Sequence, residues 1–337
     1  MKRDPGPAKG ARWLCLALAW LVGGLAAGGA WGAATASAEI TGYTRHLKLA
    51  LVRNAPTAPQ LVVYGGSRAE KAQPAFLESL TGIPGFNASV MSCRPSDVLA
   101  IASYLHDRAP RLRQFPVWIL SMETFRDNGF FQGELLSMPE LLAELPADLL
   151  AGITPVDAVP YSLPPDLTCS DGTVWAADGY LRVSRYEVML REGISREKLT
   201  ATRLKIYVDS YHDWGALSPR ATQVVEMTIA CMNSWRWKPV IVLPPYHPYV
   251  LAAIRPLGWD TRHRELLAYL AELQSRYNFV VVDLSDIRSF GGSTSGFYDG
   301  VHGGAYLMRQ VLGAVVERSD RALDPTVPYA GAAHRRV

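Results

Sequence analysis

Five short, mostly apolar runs punctuate the chain: Leu61–Tyr64, Asn87–Met91, Val117–Leu120, Val240–Leu243 and Phe279–Leu284. None is longer than six residues, and most are rich in valine or isoleucine. Brief unbroken runs of this kind suit strands covered on both faces, as in a parallel sheet. Apolar residues recur at helical spacing over roughly 70–80, 96–108, 220–235, 262–276 and 304–318. The alternation of strand and helix predicts an α/β fold: a three-layer sandwich around a mainly parallel five-stranded sheet, with right-handed crossovers. Ligands in such sheets bind at the carboxyl ends of the strands.

One connection breaks the rhythm. The stretch between the third and fourth runs is far longer than the dozen or so residues a crossover requires. Part of it, Met138 to about Leu150, reads as helix. Val174–Ala177 and Tyr180–Val183 flank an Asp178-Gly179 turn and read as a hairpin. The expectation is an insertion over 125–215 that lies across the strand ends as a cap, with the alternative of an elaboration remote from any site. The sheet-forming parts are then 39–124 and 216–318, and a flexible tail is expected over 319–337.

The first forty residues change the picture of where the protein acts. Lys2, Arg3, Lys9 and Arg12 precede an apolar run from Trp13 to Ala34, and Ala36-Ser37-Ala38 supplies a small-residue cleavage site. Segment 1–38 thus reads as a secretory signal peptide or, uncleaved, as a membrane anchor through residues 13–34. Both readings export the remainder to the periplasm, cell surface or medium. The whole chain carries a formal charge of +3, yet segment 1–38 holds four basic residues and one acid, which leaves 30 of each sign beyond it. A neutral body with no basic run argues against nucleic acid as a partner, and restricts any membrane contact to the N-terminal segment. Cys93, Cys169 and Cys231 remain after cleavage, enough for one disulfide that the sequence cannot pair. No Cys-x-x-Cys and no closely spaced His pair suggests a metal site.

The candidate chemistry lies at two distant places. Gly65-Gly66-Ser67-Arg68 follows the first apolar run directly, and Asp299-Gly300-Val301-His302 stands near the other end. A serine hydroxyl needs a base to take its proton, and that base needs an acid to fix its tautomer and stabilise its cation. Ser67, His302 and Asp299 supply all three roles. The order Ser…Asp…His also fits the α/β-hydrolase fold, but only the 28 residues from Glu39 to Gly66 precede Ser67 in the exported body. That is too little chain for the strands and oxyanion loop that come before a nucleophile elbow.

These blocks resemble the SGNH/GDSL hydrolase superfamily, whose fold is a flavodoxin-like three-layer α/β sandwich. Gly65-Gly66-Ser67 matches its first block with glycine in place of the usual aspartate; Asp299-Gly300-Val301-His302 matches its last block in full. The resemblance covers 39–124 and 216–318 and implies Ser67 as nucleophile, His302 as general base, Asp299 as the orienting acid, and no metal or cofactor. The variant Gly-x-Ser-Arg-Ala opening is also similar to exported members that handle acyl groups on cell-envelope polymers. The middle blocks depart from the pattern. Ser92 stands where a glycine N–H helps hold the oxyanion, and Glu123 stands where an asparagine should donate. Loss of one such donor typically costs about 2.7–4 kcal/mol of transition-state stabilisation. Pairing of Glu123 with Arg68, or a donor from Asn87 or the insertion, would repair the site.

His247, just past the fourth run within Pro244-Pro245-Tyr246-His247-Pro248, is either a substrate contact or a loop residue packed by its prolines. Trp175, Trp235, Trp237 and Trp259 are more readily core than sugar platforms. Tyr211-His212-Asp213-Trp214 reads as surface or hinge, and Asn87-Ala88-Ser89 as a glycosylation motif buried in a strand. The expected function is an exported SGNH-like esterase acting on O-acyl, preferably acetyl, esters of a glycan, a cell-envelope polymer or a small molecule. Two alternatives stay open: a degenerate member that binds or helps assemble a glycan, and an O-acyltransferase built on the same residues.

Overall fold

The computed structural model describes residues 43–126, 133–158 and 160–329. Segment 1–38, expected as a signal peptide or membrane anchor, lies outside the described residues. No described helix is long and apolar enough to cross a membrane. In chain order the first part comprises α1 (Thr44–Asn54), β1 (Leu61–Gly65), α2 (Pro74–Thr81), β2 (Gly85–Asn87), α3 (Pro95–Arg108) and β3 (Phe115–Ile119). The long connection carries a 3₁₀ turn (Met122–Phe125) and three one-turn helices, α4 (Gly133–Leu136), α5 (Pro139–Leu142) and α6 (Ala147–Leu150). A hairpin of β4 (Val174–Trp175) and β5 (Leu181–Val183) follows, then α7 (Arg185–Arg191) and α8 (Arg196–His212). The last part comprises α9 (Pro219–Ser234), β6 (Val240–Leu243), α10 (Pro248–Ile254), α11 (Trp259–Gln274), β7 (Val280–Asp283) and α12 (Ala305–Arg318).

The sheet is wholly parallel, in the order β2-β1-β3-β6-β7, which is the flavodoxin-like arrangement. Its register aligns Asn87, Val63, Val117, Val240 and Val280 in one row. Because alternate residues of a strand face opposite sides, every strand run must be apolar throughout to bury both. Leu61, Val63, Val117 and Val242 pack against Leu77 of α2 and Met308, Val311 and Leu312 of α12. Val62, Tyr64, Trp118 and Ile241 are equally buried and belong to the other face, on whose side α3 and α9 pack together. Proline at the first helical turn starts α2, α3, α9 and α10, where its missing N–H has no intrahelical partner to lose.

The second strand runs from Gly85 to Asn87 and shares only Asn87 with the expected Asn87–Met91. Ala88 and Val90 still donate to Val63 and Gly65 of β1, at 2.8 and 2.9 Å, but the Asn87 amide turns to the hairpin carbonyl of Asp178. The expected helix over 138–150 is broken into α5 and α6, and the tail is not frayed at its start. Ala322 and Leu323 are buried in the α2–α12 core, and Arg113 donates to the carbonyl of Val327. Cys93, Cys169 and Cys231 are free, so no disulfide forms among them.

The insertion is stitched down by polar groups. Lys48 of α1 lies 4.4 Å from the centre of the Trp175 ring and donates to the carbonyls of Asn87 and Gly179. Leu181 donates to the carbonyl of Glu70, and Lys71 to that of Arg182. Arg45 is fully buried between Asp97 of α3 and Glu134 of α4, with three side-chain bonds of 2.7, 2.7 and 3.0 Å. Removing one member would strand buried charge at a cost of about 3–5 kcal/mol.

Candidate active site

The Ser67 turn begins where β1 ends. Gly65 has φ +145°, and a Cβ there would sit 2.6 Å from the carbonyl oxygen of Ile119 on β3. Only glycine lets the chain leave the sheet at that point. The turn is then held from beneath. Asn87, wholly buried, donates through Nδ2 to the carbonyls of Ala69 (2.9 Å) and Ala72 (2.8 Å) while its Oδ1 accepts from Ser89. Asn87 therefore has no donor to spare for an oxyanion, and burial makes glycosylation at this position sterically untenable.

The opposite half comes from the loop before α12. Asp299 Oδ1 accepts the backbone N–H groups of Val301 (3.1 Å) and His302 (2.9 Å), which folds Asp-Gly-Val-His into a tight turn. Gly300 sits at φ +89° with Val250 close against it, so a side chain would force the turn open. Within the turn, Asp299 Oδ2 lies 2.8 Å from His302 Nδ1, and His302 Nε2 lies 2.8 Å from Ser67 Oγ. Ser67, 235 positions before His302, thus joins Asp299 and His302 in one continuous chain of hydrogen bonds.

Electrostatics set the proton positions. Burial opposes ionisation of Asp299, but His302, Arg203 and the His302 N–H outweigh it and hold the carboxyl well below the ordinary range. The carboxylate accepts, so Nδ1 carries the imidazole proton and Nε2 is left to accept from the serine hydroxyl. Burial lowers the His302 imidazole below its ordinary value; Arg203 and Arg68 push the same way against the pull of Asp299. The ring is neutral at pH 7 and ready to take a proton.

Ser92 occupies the left-handed region at φ +50°, the conformation for which a glycine would be the usual choice. Its turn lies against the Ser67 turn: a Cβ on Gly66 would be 3.7 Å from the Cys93 nitrogen. Glu123 does not face this turn as a free carboxylate. Its Oε1 accepts from Tyr211 (2.8 Å) and Tyr246 (2.6 Å), and its Oε2 lies 3.7 Å from Arg68 Nη1, an ion pair longer than a hydrogen bond. Arg68 is buried, stacked on the Tyr246 ring at 4.2 Å and donating to the carbonyls of Pro244 and Pro245. Glu123, Arg68, Tyr211 and Tyr246 form one largely buried polar cluster, and the Glu123 carboxylate has no proton to donate to an oxyanion.

His247 is not part of the relay. Its Nδ1 accepts from Tyr249 N at 3.1 Å and caps α10, its ring meets Phe297 edge-on, and its own N–H donates to Gly300. It borders a cleft of about 910 Å³ between α8 and the 294–300 loop whose lining omits Ser67 and His302. Trp175, Trp237 and Trp259 are buried and present no open ring for a sugar; Trp235 is half-buried with one face stacked on His106 at 4.5 Å. Tyr211, expected at the surface or at a hinge, is buried and donates to Glu123. Among the described residues no cluster of three or more His, Cys, Asp or Glu is arranged to hold a metal ion.

Two residues of the insertion reach the relay without any signal in the sequence. Arg203 Nε lies 2.9 Å from Asp299 Oδ2, and Arg203 Nη2 lies 2.7 Å from the hydroxyl of Tyr186, whose ring stacks on His302 at 4.8 Å. Neither belongs to a motif, and only the tertiary fold brings them there. Compared with protein-family models and with curated proteins, the sequence matches none.

Proposed function

We propose that this chain is an SGNH-like serine hydrolase that cleaves O-acyl esters, with an acetylated glycan or cell-envelope polymer as the favoured substrate. The observation that carries the reading is the unbroken Ser67–His302–Asp299 chain at 2.8 and 2.8 Å, set at the carboxyl edge of a parallel sheet. As His302 Nε2 takes the hydroxyl proton, Ser67 Oγ bonds to the acyl carbon and the carbonyl becomes an oxyanion. The backbone N–H groups of Ser67 and of the Ser92 turn are the donors assigned to it. Collapse breaks the bond to the alcohol oxygen, which leaves with the proton from His302; water then repeats the sequence on the acyl-enzyme. Asp299 stays ionised throughout and stabilises the imidazolium. The basic, apolar and small-residue pattern of segment 1–38 supports export.

A hydroxyl in place of water would make the same residues an O-acyltransferase. The carboxylate of Glu123 at the position of the family's asparagine favours a different second reading, a glycan-binding module that has lost turnover. A fluorophosphonate probe separates them. Labelling of the native chain that disappears in Ser67→Ala supports the enzyme, and no labelling of folded protein favours the binding module. An ester panel of p-nitrophenyl acetate, longer acyl chains, acetylated xylan and peptidoglycan then ranks substrates, and added acceptor alcohols distinguish transfer from hydrolysis.

A further inference from the structure

We infer that Arg203 and Tyr186 are positioning residues of the relay, so that the insertion completes the site instead of merely covering it. The inference rests on reading Ser67, His302 and Asp299 as an acyl-transfer relay.

A carboxylate offers about four lone-pair directions. Asp299, only 1% exposed, fills them with the N–H groups of Val301 and His302, the imidazole Nδ1 and Arg203 Nε. Arg203 then turns its Nη2 to the Tyr186 hydroxyl, and the Tyr186 ring lies over His302 at 29°. Asp299, His302, Tyr186 and Arg203 close a ring of contacts. The imidazole is gripped at its edge by the carboxylate and on its face by the tyrosine, so the rotation that would swing Nε2 away from Ser67 is opposed twice. Tyr298 stacks on the outer side of Tyr186, with centroids 5.8 Å apart.

Beyond its contacts to α1 and β2, the insertion is tied directly to both halves of the relay. Glu187, next to Tyr186, bonds Lys71 of the nucleophile turn at 2.6 Å and the hydroxyl of Tyr298 at 2.8 Å. Arg196, at the start of α8, donates to the carbonyls of Ser295 and Phe297 in the loop leading to Asp299. One seven-residue helix, α7, therefore ties the serine turn to the histidine loop, and α8 lies against the latter.

Mere docking of α8 and a positioning role differ in what they do to the imidazole. The charged or titratable groups facing His302 are Asp299 on its own loop, Arg68 after the nucleophile, Arg203 on α8 and Tyr186 on α7. Arg203 is the cation behind the carboxylate, and it reduces the hold of Asp299 on an imidazolium. Without it, His302 becomes the stronger base.

The test is the titration of the His302 imidazole in the full chain by ¹⁵N–¹H NMR, its signal assigned by loss in His302→Gln, alongside the pH dependence of fluorophosphonate labelling. Arg203→Gln should raise the His302 midpoint by roughly one pH unit, the lower end of a neighbouring-charge effect. The acid limb of labelling should follow it. Arg203→Lys should restore most of the native midpoint, and Tyr186→Phe, which keeps the ring, should retain more labelling than Tyr186→Ala. An unmoved midpoint in Arg203→Gln, with native labelling intact, overturns the inference alone; should that variant misfold, equal labelling by Tyr186→Phe and Tyr186→Ala does the same. Absence of labelling in the native chain at every pH instead removes the hydrolase reading, whatever the titration does.

Discussion

The sheet and α8, the last helix of the insertion, are held by different physics. Along the central strands β1, β3 and β6 every residue is buried, and the α2–α12 layer closes over one face with aliphatic side chains. In the seventeen residues of α8 only Leu199 and Tyr211 are buried, and the helix is fastened by Arg196, Arg203 and Tyr211 to loops that carry the candidate site. Apolar burial is non-directional and sums to most of the folding free energy, whereas a few charge-assisted hydrogen bonds fix geometry with less net stability. The sheet supplies the apolar core; α7 and α8 supply polar and ring contacts to Asp299 and His302.

The largest expected effect breaks the relay while sparing both regions. Asp299→Asn keeps the shape of the turn but lets the imidazole take the wrong tautomer, so ester turnover should fall about 10⁴-fold. Folding, followed by circular dichroism, should survive. Turnover within tenfold of native would mean that Asp299 does not orient His302.

A paired measurement sharpens the contrast between the regions. Leu312→Ala removes a wholly buried side chain from the α12 layer and should cost about 2–5 kcal/mol in urea unfolding. Ile206→Ala on α8, where the side chain is exposed, should change stability by no more than about 0.5 kcal/mol. Similar losses from both would show that α8 contributes to the core after all.

That difference also explains what was legible in the sequence. The central strands β1, β3 and β6 announce themselves because burial on two faces demands unbroken apolar runs, whereas Gly85-Phe86-Asn87 of β2 has no such run and was expected two residues further along. Ser67, Asp299 and His302 were legible because the turns that hold them are local: Gly65 must leave the sheet, and Asp299 must accept two N–H groups within three residues. The helix Arg196–His212 has no such signature, since a charged helix with two buried residues shows no apolar stripe. Arg203 and Tyr186 meet partners 96 and 116 positions away, and no local spacing encodes such contacts. Glu123 was visible as an anomaly, but its resolution by two tyrosine hydroxyls required Tyr211 and Tyr246 to be brought from different parts of the chain. His247 was correctly placed at a strand end, yet nothing in its proline-rich setting disclosed that its nitrogen caps the next helix.

The pH profile probes how far the insertion's charge reaches into the sheet's edge. The base must be neutral to work, so activity is present above the folded pKa of His302 and declines as pH falls through it. Burial and the two arginines depress that pKa, which places the acid limb of kcat/KM below the 6.5 of an ordinary histidine, with a tenfold loss for each unit beyond it. A midpoint above 7 would mean that the imidazole is not desolvated as described.

The smallest effect tests a part of the site that belongs wholly to the sheet's rim. Ser92 is exposed and holds φ +50°, so its side chain matters less than the backbone shape it adopts. Ser92→Gly removes the left-handed penalty but frees the unfolded chain, two terms of about 0.4–1 kcal/mol that oppose each other. Stability and labelling should therefore stay close to native. Ser92→Val keeps a small side chain but makes it β-branched where positive φ is most strained, and should slow fluorophosphonate labelling by about 10²-fold if the turn's N–H holds the oxyanion. Equal labelling rates for the glycine and valine variants would remove the Ser92 turn from the oxyanion site and leave the insertion as the place to search for the second donor.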